Sequence, residues 1–175
     1  RDAVLLVSGQ LDKTMGGSLL TVKNRDSFFN HTSEDVANYD TNRRSLYLPV
    51  VRNHLYEVFR LFDYADASVP NGDRPSTTVV SQALFSLNSE FMRNASATLA
   101  EQLREENSST TDERIARLYE LAYSRPPSEQ EQSACQTFLE QISDRLAKEQ
   151  TAADAEQQSW QLLCQAILSA NEFLH

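Results

Sequence analysis

The stretch that decides the fold runs from Ser128 to Phe173, "SEQEQSACQTFLEQISDRLAKEQTAADAEQQSWQLLCQAILSANEF". Its apolar residues recur at helical spacing in two successive runs. Cys135, Phe138, Leu139, Ile142 and Leu146 mark one face of a helix expected over about 129–149. Trp160, Leu163, Cys164, Ile167 and Leu168 mark one face of a second, expected over about 152–173. The turn near Gln150 and Thr151 is short, so the two should fold back as an antiparallel hairpin with facing stripes. Ser128 followed by Glu131 is a capping box that opens the first helix. Cys135 and Cys164 lie nearly equally far from the turn and therefore at one level of the hairpin. Two buried thiols fit that placement, and so does a disulfide in an oxidising compartment.

Working outward, Thr110 and Glu113 form a second capping box, for a helix carrying Ile115, Leu118, Leu121 and Ala122 and stopped by "SRPP". "EFMRNASATLAEQLREE" reads as the helix before it. "STTVVSQALFSLN", residues 76–88, reads as a short, largely buried helix that Asn88 and Ser89 break from its successor. Gln82 and Asn88 bring amides into it that need partners, and they are expected to bond backbone of the loop 63–76. Leu55, Val58, Phe59 and Phe62 mark a helix over about 52–62. "RRSLYLPVV" alternates at Leu46 and Leu48 and predicts an extended segment ending at Pro49. Gly16-Gly17 marks a turn, and Leu19 to Val22 a short strand. Residues 2–12 look like a helix loosened near Gly9. It begins in mid-pattern without a cap, as in a piece of a longer chain.

These elements predict a mainly α fold: one helical domain over residues 1–175, with a long irregular loop, a short extended segment and a C-terminal hairpin over 128–175. The composition agrees, with 40% apolar residues among 175 but only four Gly and five Pro. The net charge of −9 is concentrated late: ten basic and eleven acidic residues lie in 1–100, against six and fourteen in 101–175. Nucleic acid is excluded as a partner by that balance, since phosphate binding needs clustered Lys and Arg. No run of 18 apolar residues occurs, so membrane insertion is not expected.

The chemistry on offer is sparse. The three histidines are scattered, and no metal-binding, nucleophile-elbow, phosphate-loop or haem-attachment motif is present. The densest polar constellation is "FDYADASVPNGDRPSTT". Asp63, Asp66, Asn71 and Asp73 supply hard oxygen ligands of the kind Ca²⁺ takes, at spacing unlike the EF-hand loop. The plainer reading makes Asp63 the clamp on a helix end and gives Arg74 a carboxylate partner. Arg43, Arg44 and Arg52 flank Tyr47 as a candidate anion patch. No residue pattern identifies a catalytic group.

"RRSLYLPVVR", "LFDYADASVPNGDRPSTTVVSQALFSLNSEFM", "RIARLYELAYSRPPSEQE" and "WQLLCQAILSANEFLH" together, in order and spacing, resemble one family. It is the planctomycete and verrucomicrobial C-terminal domain of unknown function found in very large proteins with cytochrome-c-like domains. Arg44, Asp63, Arg74, Thr78, Gln82, Asn88, Arg125, Pro126, Asn171 and Phe173 match its motifs, while His175 replaces the tyrosine of its usual N-E-F-L-Y ending. The resemblance implies an exported, multidomain parent with its haem elsewhere in the chain and no cofactor here. It also implies an extracytoplasmic location and favours a Cys135–Cys164 bridge. No reaction is transferred with it.

Two functions follow as expectations. The first is a non-catalytic helical module that packs on or positions other domains of its own chain, with its motif polar groups mutually satisfied. The second is a ligand-binding or hydrolytic lobe acting on extracellular polysaccharide. It would have Arg44, Asp63, Asp66 and Arg74 lining a cleft, with Gln82 and Asn88 nearby.

Overall fold

The computed structural model describes residues 1–17, 19, 39–50, 55–65, 72, 79–106 and 110–174. Among them the regular structure is helical: α1 (Asp2–Val7), a 3-10 turn (Ser45–Tyr47), α2 (Glu57–Leu61), α3 (Val80–Asn88), α4 (Glu90–Glu105), α5 (Thr111–Tyr123), α6 (Glu129–Leu146), α7 (Ala152–Leu168) and α8 (Asn171–Leu174). The mainly α class is therefore as expected. The chain divides into two compact units, Arg1–Asp2 with Leu11–Gln82, and Ala3–Gln10 with Ala83–His175.

In the first unit the segment expected to be extended turns instead. Asp2 accepts the Ser45 N–H at 2.9 Å to each carboxylate oxygen and the Ser45 hydroxyl at 2.6 Å. That anchor starts a 3-10 turn, which leaves Leu46 exposed and Leu48 buried. The alternation at Leu46 and Leu48 reflects a tight turn, not a pleat. Extended backbone survives only at its flanks, where Asp12 and Arg43 form a lone parallel bridge. The Arg43 guanidinium lies 4.4 Å over the Tyr47 ring and bonds the carbonyls of Thr14, at 2.9 Å, and Gly16.

Helix α2 is shorter than its apolar pattern. Leu55 and Tyr56 are not helical, and Tyr56 offers no side-chain cap. The helix ends at Asp63, whose φ of 55° is left-handed, while Tyr64 N–H returns to Phe59 O at 3.0 Å. This is a Schellman turn with an aspartate where glycine is usual, and Asp tolerates that region better than most residues. Tyr39 stacks on Tyr56 at 4.9 Å and Phe59 on Tyr64 at 5.0 Å between centroids, and Tyr56 meets Phe59 edge to face at 5.3 Å. Most of the strand expected at Leu19–Val22 and most of the loop 63–76 lie outside the described residues.

In the second unit, α1 ends in a Schellman turn of its own, with Gly9 at φ 71° and Gln10 N–H bonded to Leu5 O at 2.8 Å. The helix stops there, earlier than the pattern to residue 12 suggested. Ser89 accepts the Met92 N–H and caps α4. Both capping boxes, Thr110 with Glu113 and Ser128 with Glu131, form in full. Thr151 caps α7 through the Asp154 N–H, so the hairpin of α6 and α7 turns tightly as expected. The second hairpin helix is broken, however. Backbone bonds of the i to i−3 kind at Ala170 and Phe173 set off α8 as a separate short turn.

Helix α7 is the centre of this unit, packing against α4 as well as α6. Eight of its residues are buried, from Ala155 to Leu168, against two on α6, Cys135 and Leu139. From α4 come Met92, Ala95, Leu99 and Leu103, spaced three or four apart, and from α5 Ile115, Leu118 and Tyr119. Leu99, Leu103, Ile115, Leu118 and Leu168 are fully buried, so truncating any one to Ala should cost about 2–5 kcal/mol.

Candidate functional site

The polar residues singled out in the sequence have different fates. Arg44 is exposed and immediately precedes the 3-10 turn. Asp63 is half-buried and follows α2 in the left-handed backbone conformation that ends it. Asp66, Asn71, Asp73 and Arg74 lie outside the described residues, and with them most of the calcium candidate and half of the proposed cleft. Arg52 lies there too, and Arg43 is engaged with carbonyls. Among the described residues, no three His, Cys, Asp or Glu side chains gather as metal ligands. None of the described helices is long and apolar enough to cross a membrane.

The two amides of the 76–88 stretch part company. Gln82 is buried and donates from Nε2 to Leu61 O at 2.8 Å, while its Oε1 accepts the Val79 N–H at 3.4 Å. It thus holds the last carbonyl of α2, just before the loop it was expected to tie. Asn88 is exposed and spends its amide on its own helix, donating to Leu84 O at 3.0 Å. The end of α3 is held by two other residues, which the sequence reading passed over. Gln165 donates from Nε2 to Leu87 O at 2.8 Å and Ser86 O at 3.3 Å, and Ser169 Oγ donates to Ser86 O at 3.2 Å. The last carbonyls of α3, which lack partners within their own helix, are capped from α7. The one signal for Gln165 was an amide interrupting the apolar run between Cys164 and Ile167.

These bonds turn α3 inside out. Its buried side chains are Gln82 and Ser86, while Val80, Leu84 and Leu87 are 76%, 55% and 58% exposed. With Ala83, which is exposed as well, they span an apolar stripe about 100° wide at 100° per residue. The expectation of a largely buried helix is corrected accordingly. Hydrogen bonds and the packing of Phe85 on the core hold the inward face, while Val80, Ala83, Leu84 and Leu87 point out.

The best-built polar cluster surrounds Arg125, in the "SRPPSEQE" motif. Its guanidinium is fully engaged: NH1 and NH2 grip Glu131 at 2.9 and 2.8 Å, Nε and NH2 grip Glu172 at 2.7 and 2.8 Å, and NH1 also bonds Pro126 O. Tyr119 and Tyr123 face the same cation at 5.5 Å each. Glu131 additionally closes the α6 capping box through the Ser128 N–H at 2.7 Å. Arg125 and the Ser128 amide hold Glu131 down at about 2, and Arg125 lowers Glu172 too. Burial raises Tyr123 to about 12, and its hydroxyl donates to Ile167 O. The cluster fastens the end of α5 to the start of α6 and to α8. Its one cation is shared between two carboxylates, and all three side chains are engaged in joining the elements.

Cys135 and Cys164 are free and buried, with no bridge between them. Burial raises both thiols, Cys164 the more strongly, and Cys135 Sγ lies 3.9 Å from Tyr119 Oη. Such thiols are protonated at neutral pH and unsuited to nucleophilic attack.

The described residues thus form a mainly helical domain in which the motif residue Arg125 is spent on holding its own elements together. Residues 1–139 match the family described as PSD1, protein of unknown function (DUF1553), and the chain belongs to that family. No curated protein and no solved structure matches it.

Proposed function

We propose that this domain is a non-catalytic packing module of a large exported protein, positioning neighbouring domains of its own chain in an extracytoplasmic setting. Any haem of the parent belongs to another domain. The observation that carries this reading is the inverted helix α3, which presents Val80, Ala83, Leu84 and Leu87 to the outside. An outward stripe of this kind on a helix held in place by buried hydrogen bonds is what a docking surface requires. The self-satisfied Arg125 cluster supports the same reading, because its charges serve cohesion.

The test uses the full-length parent with the photo-crosslinker benzoylphenylalanine in place of Leu84. Crosslinks to another domain of the same chain are expected. If irradiation yields no intramolecular product, the packing role is overturned.

A further inference from the structure

Two arginines of the second unit are far less completely paired than Arg125. Where α4, α5 and the start of α7 meet, Arg104 and Arg114 border a recess of about 120 Å³. Its apolar lining is Ala100 and Leu103 from α4 with Ala153 and Trp160 from α7. Ala100, Leu103 and Trp160 are themselves buried, so the recess is backed by the core. Arg114 meets Glu156 in a single contact at 3.5 Å, its side chain 24% exposed against 64% for the glutamate. Its Nε is buried and finds no acceptor among the described residues. Arg104 reaches Glu101 and Gln157 at 3.4 Å each. Arg125, by contrast, holds two carboxylates at 2.7 to 2.9 Å. A buried donor without an acceptor in its own chain calls for one from outside.

These groups define the class of ligand. A carboxylate can meet a guanidinium with two parallel hydrogen bonds, which the long contact from Glu156 does not provide. That glutamate is exposed enough for its pairing to be weak and readily exchanged for water. The Arg114 guanidinium also lies 5.9 Å from the centre of the Trp160 ring, beside an apolar surface that screens its charge less than water does. The lining then limits the rest of the molecule. A dry apolar cavity of about 150 Å³ holds a benzene-sized guest, so this smaller recess suits a hydrocarbon tail of about four carbons. An inorganic anion would leave those walls unfilled.

We infer that this recess binds a small carboxylate with a compact apolar tail. The carboxylate is held by Arg114 with the more exposed Arg104 beside it, and the tail lies against Ala100, Leu103, Ala153 and Trp160.

Trp160 is the single tryptophan of the 175-residue chain, so its fluorescence reports on the recess. Isovalerate is titrated into that chain at constant ionic strength, with the neutral isovaleramide as the comparison of equal shape. A saturable change with a dissociation constant of about 1 mM is expected for so small a ligand. The amide should bind at least tenfold more weakly, and Arg114→Gln should weaken isovalerate by at least as much. Ala153→Leu, at an exposed position on α7, should fill the recess and abolish the change while leaving the melting temperature in place. That variant decides the matter even where Arg114→Gln fails to fold. A response that never saturates, equal binding of acid and amide, or binding that survives Ala153→Leu overturns the site.

Discussion

Gln165 of α7 gives its amide to the carbonyl of Leu87, 78 residues earlier, at 2.8 Å. This bond and the neighbouring one to Ser86 O stand in for intrahelical partners that the end of α3 cannot have. Replacing Gln165 with Leu keeps the bulk and removes the donor to Leu87 O. The expected loss is about 1–3 kcal/mol, read as a lower denaturant midpoint with an unchanged slope. Ser169 still donates to Ser86 O in that variant, so Gln165→Leu with Ser169→Ala should lose more than either alone. An unchanged midpoint would mean that water replaces the amide and that α3 is not pinned from α7.

Gln82 makes the matching bond in the first unit, to Leu61 O at 2.8 Å. Gln82→Leu is expected to destabilise by about 1–3 kcal/mol as well. Asn88→Ala serves as the comparison. Its amide only returns to its own helix in an exposed position, so the change should stay within about 0.5 kcal/mol. Equal effects in the two variants would contradict the division of labour between these amides.

What could be read from the sequence follows from how local each feature is. The capping boxes at Thr110 and Ser128 form because donor and acceptor are three residues apart and nothing distant has a say. The α6–α7 hairpin was legible from its stripes and short turn for the same reason. Helix α3 was misread because burial is decided by partners far along the chain. Nothing in "STTVVSQALFSLN" announces that Gln165 and Ser169 will cap its end. The turn at Ser45–Tyr47 escaped likewise, since its anchor is Asp2, 43 residues away. In the Arg125 cluster both motif segments were visible, but the 47-residue reach from Arg125 to Glu172 was not.

The Arg125 cluster should respond to acid with a definite sign. Glu131 titrates at about 2 in the folded chain, and its ordinary value is 4.5. A carboxylate depressed on folding contributes stability above its unfolded pKa, and that contribution is lost as pH falls toward the folded value. Glu172 and Glu106, both lowered by arginine partners, act in the same direction. The melting temperature should therefore fall between about pH 4.5 and pH 2, and Glu131→Gln should flatten that decline. Above pH 5 the variant should melt lower than the parent, and the two curves should converge near pH 2. Curves that stay parallel across the whole range would show that Glu131 is not gripped in solution.

Arg125 also tests whether geometry matters beyond charge. Lysine at this position keeps the positive charge but cannot bond two carboxylates bidentately while facing two tyrosine rings. Arg125→Lys should loosen α8 first, because α8 is only four residues long and Glu172 lies within it. Hydrogen exchange at residues 171–174 should then rise at least tenfold, while amides in the middle of α4 and α7 stay protected. If exchange at α8 is unchanged, Phe173, which packs on the core cluster, holds the segment unaided.

The cysteines supply the last expectation. Both thiols are buried, and burial holds both in the protonated form, so a native sample at pH 8 should react with an alkylating reagent far more slowly than a free peptide thiol. Cys164, fully enclosed on α7, should be slower than Cys135, which touches the Tyr119 hydroxyl. Unfolding in denaturant without reductant should expose two alkylatable thiols, counted by intact mass. A chain that takes up neither label until a reductant is added would carry a Cys135–Cys164 bridge. That result would place the folded protein in an oxidising compartment and would replace the free thiols described above.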